Sequence, residues 1–144
     1  MVADPITDLE IELADMWRRG RIRSRELARQ IDPKLDPAGY PLLALLIRHD
    51  AVPMSALIAE LGVEKSTLTR QIDAVVRLGL VERTPDPHDA RARLVALTGS
   101  GRDRLTVLRN EEIARWRERL SRWDPEDIQQ LTKLLHRLGD SSGT

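Results

Sequence analysis

The sequence contains no cysteine and no phenylalanine, and aromatic side chains make up only 3% of its 144 residues. The absence of cysteine excludes disulfides, thiolate metal ligands and cysteine nucleophiles from the chemistry of this chain. Its longest apolar run, residues 42–47, is far too short to span a bilayer. Residues 1–10 carry acids and no base, unlike a secretory signal. We therefore expect a cytoplasmic protein, without a membrane partner, whose core consists of aliphatic side chains.

Neither sign of charge dominates, because 23 Lys and Arg balance 23 Asp and Glu. The zero sum argues against a general polycation, but a local basic surface that binds nucleic acid stays possible. Residues 1–15 hold five acids and no base, whereas residues 16–34 hold seven bases and two acids. The bases are densest at Arg18, Arg19, Arg21, Arg23 and Arg25. This arginine cluster is open to three interpretations: a solvated helix end, a contact with phosphates, or pairing with the acids of residues 4–15 across a dimer.

The apolar residues near the N-terminus recur at helical steps of three and four, which predicts a first helix over residues 6–31. The helix should end before the Asp32-Pro33 pair, because a residue that precedes proline is biased away from helical angles. After a loop, Pro41 suits the first position of a second helix. Residues 42–49 are apolar nearly all round, which is typical of a short buried helix.

The centre of the chain shows a helix, a short turn and a second helix. Residues 54–60 and 64–78 both have helical spacing of apolar side chains, and the turn between them is Leu61-Gly62-Val63. This pattern is typical of a helix-turn-helix. Two β-rich runs follow, residues 80–84 and 92–98, and they are separated by turn-forming residues that indicate a hairpin with a medium loop, residues 85–90. The combination predicts a winged helix.

One side of the 64–78 helix carries hydroxyl and basic side chains, and the other side is apolar. A DNA-reading helix needs such a polar side, because hydroxyls and guanidinium groups bond to phosphates and base edges, and its first turns enter the major groove most deeply. A lone basic helix is more commonly a solvated face, but the flanking turn and hairpin favour the DNA interpretation. The predicted DNA contacts on this helix are Lys65, Ser66, Thr67, Thr69 and Arg70.

The hairpin adds two arginines, Arg91 and Arg93, which we predict to contact DNA. An arginine at a protruding tip can enter a narrow minor groove, where the negative potential is high. The alternative is that these side chains only keep an exposed hairpin soluble, and for Arg93 the two interpretations are equally good. We expect Asp89 to orient Arg91 through a salt bridge.

Several short motifs occur in a fixed order between Leu57 and Gly101: Leu61-Gly62-Val63, Ser66-Thr67-Leu68-Thr69-Arg70, Gly79-Leu80-Val81-Glu82-Arg83, Asp89-Ala90-Arg91 and Leu97-Thr98-Gly99-Ser100-Gly101. In order and spacing they resemble the MarR-type winged-helix transcription regulators, and the flanking helices extend the likeness over nearly the whole chain. The chain departs from many relatives at Ala90, where a basic residue is frequent, and at Glu64, where Ser or Thr is common. The resemblance implies a homodimer that binds a pseudo-palindromic double-stranded DNA operator, and a small aromatic ligand that releases it.

The ends of the chain are predicted to serve dimerisation. Apolar stripes recur over residues 99–122 and 125–138, with Thr98 and Asp124 as helix caps. Together with the stripe of the first helix, these apolar stripes exceed what a winged-helix core can bury. A second copy of the chain is the simplest partner that could bury them. The alternative is a monomer with the terminal helices folded back. A flexible tail, residues 139–144, should begin at Gly139.

The expected fold is therefore mainly α with a small β-hairpin wing, a winged helix-turn-helix flanked by N- and C-terminal dimerisation helices. We expect one domain over residues 1–144. It should comprise a helical dimerisation region, residues 1–35 and 99–138, and a DNA-binding lobe, residues 41–98. The expected function is that of a sequence-specific transcription regulator of the repressor class. The alternative is a winged helix that binds acidic protein surfaces without specific DNA binding.

No catalytic constellation is visible, so we expect neither an enzyme nor a cofactor. The three histidines lie far apart and lack the spacing of a helical metal pair, and we expect no metal site. Gly99-Ser100-Gly101 is neither a phosphate loop nor a nucleophile elbow. A ligand pocket between the dimerisation helices and the DNA-binding lobe is expected to involve Trp17, Tyr40 and Trp116, although each of these side chains is equally plausible as core.

Overall fold

The computed structural model describes residues 4–141, which divide into two compact units, residues 4–108 and 109–141. The first unit contains the winged helix. The second contains the later part of a long helix and the last helix. In chain order the elements are α1 (Pro5–Ile31), a 3₁₀ turn (Pro37–Gly39), α2 (Tyr40–Leu46), β1 (Val52–Pro53), α3 (Met54–Leu61), α4 (Lys65–Arg77), β2 (Val81–Asp86), β3 (Asp89–Leu97), α5 (Gly99–Leu120) and α6 (Pro125–Ser141). The predicted fold class, mainly helical with a small β wing, is confirmed.

Helix α1 begins where an aspartate caps it. The Asp4 carboxylate accepts hydrogen bonds from the Ile6 amide at 3.1 Å and from the Thr7 hydroxyl at 2.8 Å, and Pro5 occupies the first turn. The helix ends at Ile31, as predicted. Arg104 of α5 donates to the Ile31 carbonyl at 3.3 Å, so a cation satisfies the C-terminal end of the helix.

The core of the first unit is aliphatic, as the composition predicts. Helix α2 ends at Leu46, three residues before the predicted end, and its inward side chains are fully buried. Around it pack one face each of α3 and α4, the C-terminal end of α1 and the inner face of the sheet. The largest fully buried side chains are Leu42, Leu43, Leu46, Leu57, Leu68, Ile72, Val75, Leu80, Val81 and Val95.

The sheet has three strands in the order β1-β3-β2, and all of its pairs are antiparallel. Strand β1 pairs Val52 with Val95 and Pro53 with Leu94. The sequence indicated only a break at this point, because two residues are too few to show the alternation of a strand. Pro53 is tolerated because β1 lies at an edge, where a missing N–H costs no ladder bond.

The hairpin is tighter than predicted. Strand β2 extends to Asp86 and strand β3 begins at Asp89, so only Pro87 and His88 form the turn. The prediction of a medium loop over residues 85–90 is wrong. Two aspartate side chains account for the difference. The Asp86 carboxylate accepts from the His88 amide at 2.8 Å, and the Asp89 carboxylate accepts from the Arg91 amide at 3.0 Å. These bonds satisfy backbone donors at the tip and stabilise a compact turn.

Hydrogen bonds of one residue, Thr98, connect the start of α5 to the chain that follows α4. Its hydroxyl donates to the Gly79 carbonyl at 2.6 Å and accepts from the Gly101 amide at 3.0 Å, while its own amide donates to the Leu80 carbonyl at 3.0 Å. Thr98 is therefore the helix cap that the sequence predicts. Gly101 packs so closely on Leu80 that an added Cβ atom would lie 2.1 Å from the Leu80 carbonyl oxygen.

In the second unit, α6 begins at Pro125 and continues through Gly139 to Ser141. The predicted helix end at Gly139 is wrong, since Gly139 does not adopt a left-handed conformation. Glycine inside an exposed helix costs only about 1 kcal/mol relative to alanine, and the His136–Asp140 pair, at 3.3 Å, spans this turn. Residues 142–144 of the predicted tail lie outside the described residues.

Each unit keeps large apolar side chains exposed. In the first unit most of them lie on α1, including Ile6, Leu9, Met16 and Trp17, and Val107 lies on α5. In the second unit they lie on α5, at Trp123 between the two helices, and on α6, where the set comprises Leu131, Leu134, Leu135 and Leu138. Within residues 4–141 no helix has both the length and the apolar character needed to cross a membrane.

Candidate nucleic-acid interface

The turn between α3 and α4 depends on a glycine with left-handed backbone angles. Gly62 has φ 62° and ψ 30°, and its amide donates to the Ile58 carbonyl at 3.0 Å, which closes the end of α3. Helix α4 then starts within three residues and buries Leu68, Ile72 and Val75 against the core. The helix-turn-helix that the spacing predicted is therefore present, with the polar side of α4 facing away from the core.

The predicted contact residues on α4 are not equivalent. Lys65, Ser66 and Arg70 are exposed, whereas Thr67 and Thr69 are half-buried. The Thr69 hydroxyl donates to the Lys65 carbonyl at 2.9 Å, so its proton is used within the helix and only its oxygen lone pairs face outward as acceptors. Lys65, Ser66 and Arg70 therefore offer the free donors of this surface.

The wing presents the other two predicted contact residues. Arg91 and Arg93 are exposed on β3, and neither forms an ion pair with any acid of residues 4–141. The predicted Asp89–Arg91 salt bridge is not formed, because the Asp89 carboxylate accepts from the Arg91 backbone amide instead. Asp89 thus orients the backbone at Arg91 and leaves its guanidinium unpaired.

One ion pair at this surface was not predicted. Arg83 of β2 pairs with Asp73 of α4 through one nitrogen and one carboxylate oxygen. The helical wheel places Asp73 on the polar side of α4, in line with Ser66 and Arg70, but the partner comes from a strand ten residues later. Local periodicity contains no information about such a contact, so only the folded geometry reveals it.

The segment that carries the polar side of α4 and the wing is similar to known proteins. The family model for the MarR family matches residues 34–92, which include α4 and most of the wing. An uncharacterized HTH-type transcriptional regulator of Bacillus subtilis, YxaD, is 26% identical over 135 residues, 94% of this chain and 93% of that protein. The chain resembles the MarR family. The predicted resemblance is thus confirmed.

Solved MarR structures share the fold. A MarR family protein from Bacillus stearothermophilus has a TM-score of 0.80 at 20% identity, covering 100% of this chain and 99% of that chain. A mutant MarR from E. coli complexed with operator DNA has a TM-score of 0.65 at 24% identity, covering 94% of this chain and 99% of that chain. At these identities the two structures establish the winged-helix fold of this chain and nothing further.

A cavity of about 400 Å³ lies beside α4, next to part of its polar side. Lys34, Leu35 and Asp36, from the segment between α1 and α2, line one part of it, and Thr67 and Arg70 line another. Of the predicted ligand-pocket residues, Trp17, Tyr40 and Trp116, none lines this cavity. Tyr40 packs against the core, and Trp17 and Trp116 are exposed in different units. Arg70, by contrast, belongs both to the cavity and to the predicted DNA surface.

The arginine cluster of α1 is partly neutralised within its own helix. Arg18 and Arg19 pair with Asp15 at 2.6 and 3.2 Å, and Arg23 pairs with Glu26 at 2.9 Å. The hydrogen bond from Arg18 holds the pKa of Asp15 below its ordinary value, and the charge of Arg19 acts in the same direction. These local pairs favour a solvated helix surface among the three interpretations. Residues 4–141 contain no group of three or more acids and histidines arranged to hold a metal ion.

Proposed function

We propose that this protein is a MarR-family transcription regulator that binds specific DNA sequences as a homodimer. It acts in the cytoplasm and represses the genes next to its operator. The observation that carries the proposal is the exposed donor set of one compact unit. Lys65, Ser66 and Arg70 project from a helix whose opposite face is buried, and Arg91 and Arg93 project from the adjoining hairpin.

The chemistry of these side chains suits double-stranded DNA. Helix α4 is narrow enough for the major groove, and its first two turns carry the free donors. Arg70 can donate two hydrogen bonds to the O6 and N7 atoms of a guanine, while Lys65 suits a phosphate. On the wing, Arg91 suits the narrow minor groove, where the negative potential attracts a guanidinium. The operator complex of the E. coli MarR mutant supports this use of the fold.

The exposed apolar side chains support a homodimer. Leucines on one side of α6 and apolar residues on α1 stay exposed in the single chain, although such residues normally bury against a partner. A two-fold dimer covers the same patch on both copies, and it presents two α4 helices to successive major grooves of a pseudo-palindromic operator. Sedimentation at micromolar concentration should give about twice the 16.3 kDa mass of the chain, and a mass of one chain would contradict the dimer.

The cavity beside α4 supports control by a small aromatic ligand. An apolar lining formed by Leu35, Val75 and Leu78 suits an aromatic ring, and Lys34 and Arg70 can bind an acidic group. A ligand that binds Arg70 removes a donor from the DNA surface, so ligand and operator compete. A thermal-shift screen of small aromatic acids, followed by displacement of bound DNA, tests this step; a ligand that raises Tm and leaves DNA bound would contradict it.

A gel-shift experiment tests the proposal as a whole. The purified chain should shift a duplex from the region upstream of its own gene and bind a scrambled duplex of equal length more weakly. Arg70→Ala should abolish the difference between the two duplexes. Arg109→Ala, which removes an equal charge from an exposed site in the second unit, should preserve it. Absence of a specific shift, with a protein partner co-purifying, would refute the proposal and favour the protein-binding alternative.

A further inference from the structure

The Asp73–Arg83 ion pair connects the two elements that carry the proposed DNA contacts. Asp73 follows the buried Ile72 in α4, and Arg83 lies two residues after the buried Val81 in β2, opposite the buried Val95 in β3. The backbones of both partners are therefore fixed by the core. Their side chains stay partly open to solvent, with 34% of Arg83 and 45% of Asp73 exposed.

The pair also changes the charge of the DNA-facing side of α4. Ser66, Arg70, Asp73 and Arg77 succeed one another at steps of three and four, so they form one row along the helix. Asp73 is the acid of that row, and it lies only about 4.5 Å along the helix axis from Arg70, at a rise of about 1.5 Å per residue. An unpaired carboxylate there would repel phosphates. Arg77 does not neutralise it, since its Nε atom donates to the Asp73 backbone carbonyl at 3.3 Å.

The chain between the two partners contains a sharp reversal. Gly79 has a left-handed φ of 75°, and the Leu80 amide donates to the Val75 carbonyl at 3.1 Å, which closes the end of α4. Beyond this reversal the hairpin projects from the core toward its exposed tip. The ion pair connects the middle of α4 to the base of the hairpin, across the reversal, and so resists rotation of the wing relative to the helix.

We propose that Asp73 and Arg83 are positioning residues that hold α4 and the wing at the angle needed to engage a major groove and its neighbouring minor groove together. The pair thereby sets the discrimination between operator and other DNA. This inference rests on the proposed function. A partly exposed ion pair contributes little to folding, so its loss should affect DNA discrimination much more than thermal stability.

Breaking the pair from either side separates this role from a merely structural one. Asp73→Asn frees Arg83, so binding to a scrambled duplex should tighten and the slope of log affinity against log salt should steepen by about one. Arg83→Gln leaves Asp73 unpaired, so binding to both duplexes should weaken. In each variant the ratio of operator affinity to scrambled-duplex affinity should fall roughly tenfold. A change of this size is typical of coupled neighbours. A general loss of structure would not give opposite signs on scrambled DNA.

The experiment measures fluorescence anisotropy with the upstream duplex and its scrambled counterpart at several salt concentrations, together with the Tm of each variant. The double variant should discriminate between the operator and scrambled duplexes no worse than the poorer single variant. The conservative variants Asp73→Glu and Arg83→Lys should retain most of that discrimination. Glu82→Gln is the matched control, because it removes an exposed acid next to Arg83 without breaking the pair.

The outcomes distinguish this inference from the proposed function. A wild-type chain that binds both duplexes equally refutes both. A wild-type chain that discriminates, with single variants that discriminate equally well, refutes the positioning role and leaves the proposed function intact. Single variants whose losses add independently in the double variant would also contradict it, since two partners of one contact cannot be lost twice.

Discussion

Replacement of Gly101 by alanine tests how tightly the first turn of α5 is packed against the winged helix. A Cβ atom at this position would lie 2.1 Å from the carbonyl oxygen of Leu80, 2.9 Å from its carbonyl carbon and 3.0 Å from its Cα atom. These are backbone atoms, so no side-chain rotation relieves the overlap. The Leu80 carbonyl also accepts the Thr98 amide at 3.0 Å, and movement of Leu80 would strain that bond.

The expected destabilisation follows from two opposing effects. Insertion of a methyl group into a packed site typically costs about 1–3 kcal/mol, and a clash with backbone belongs at the upper end of that range. The higher helix propensity of alanine returns about 1 kcal/mol at most. The net loss should be about 2 kcal/mol, which lowers Tm by roughly 4–8 °C in a chain of this size.

Gly99→Ala is the matched control, because it makes the same substitution in the same turn of α5. Apart from its chain neighbours and its own helix backbone, no heavy atom of the described residues lies within 4 Å of the added Cβ, and Gly99 does not have a positive φ. Its Tm should therefore stay within about 2 °C of the wild type, since exposed substitutions rarely exceed about 0.5 kcal/mol. Thermal unfolding followed by circular dichroism at a fixed protein concentration measures both. Equal Tm values for Gly101→Ala and the wild type would refute the packing argument.

Three further predictions concern the wing, α1 and the proposed dimer. Asp89→Ala should weaken operator binding several-fold because Arg91 loses its backbone anchor, at about 1 kcal/mol for one hydrogen bond; tighter binding in a titration would contradict this. Arg18→Ala should raise the pKa of Asp15 toward its ordinary value, so that carboxylate should protonate at higher pH in an NMR titration, and an unchanged midpoint would count against the contact. Leu135→Asp should convert the sedimenting species from a dimer to a monomer of 16.3 kDa; persistence of the dimer would exclude this side of α6 from the interface.

The features that were predictable from the sequence depend on residues that lie close together along the chain. The apolar spacing of α4 and the glycine at position 62 indicated the helix-turn-helix, because burial of one helix face and a left-handed turn each require particular residue types nearby. Thr98 was recognisable as a cap for the same reason. Exposure of Arg91 and Arg93 followed from their place near turn-forming residues.

The features that were not predictable depend on contacts between distant residues or on side chains that satisfy the backbone. Strand β1 exists because Val52 meets Val95, which no local period reveals. The compact hairpin turn depends on two aspartate carboxylates that bond to amides two residues later. The Asp73–Arg83 pair and the cavity beside Arg70 likewise arise only when separate elements pack together. Participation of Trp17, Tyr40 and Trp116 in a ligand site stays a prediction.

In the proposed function a two-fold dimer binds DNA through α4 and the wing. Selection of bound sequences from a library of random duplexes by the full chain tests it most directly. We expect enrichment of an inverted repeat whose half-site centres are about 10–11 base pairs apart, or a multiple of that distance, because each α4 helix occupies one major groove. Recovery of no enriched sequence, or of a single unrepeated half-site, would contradict it.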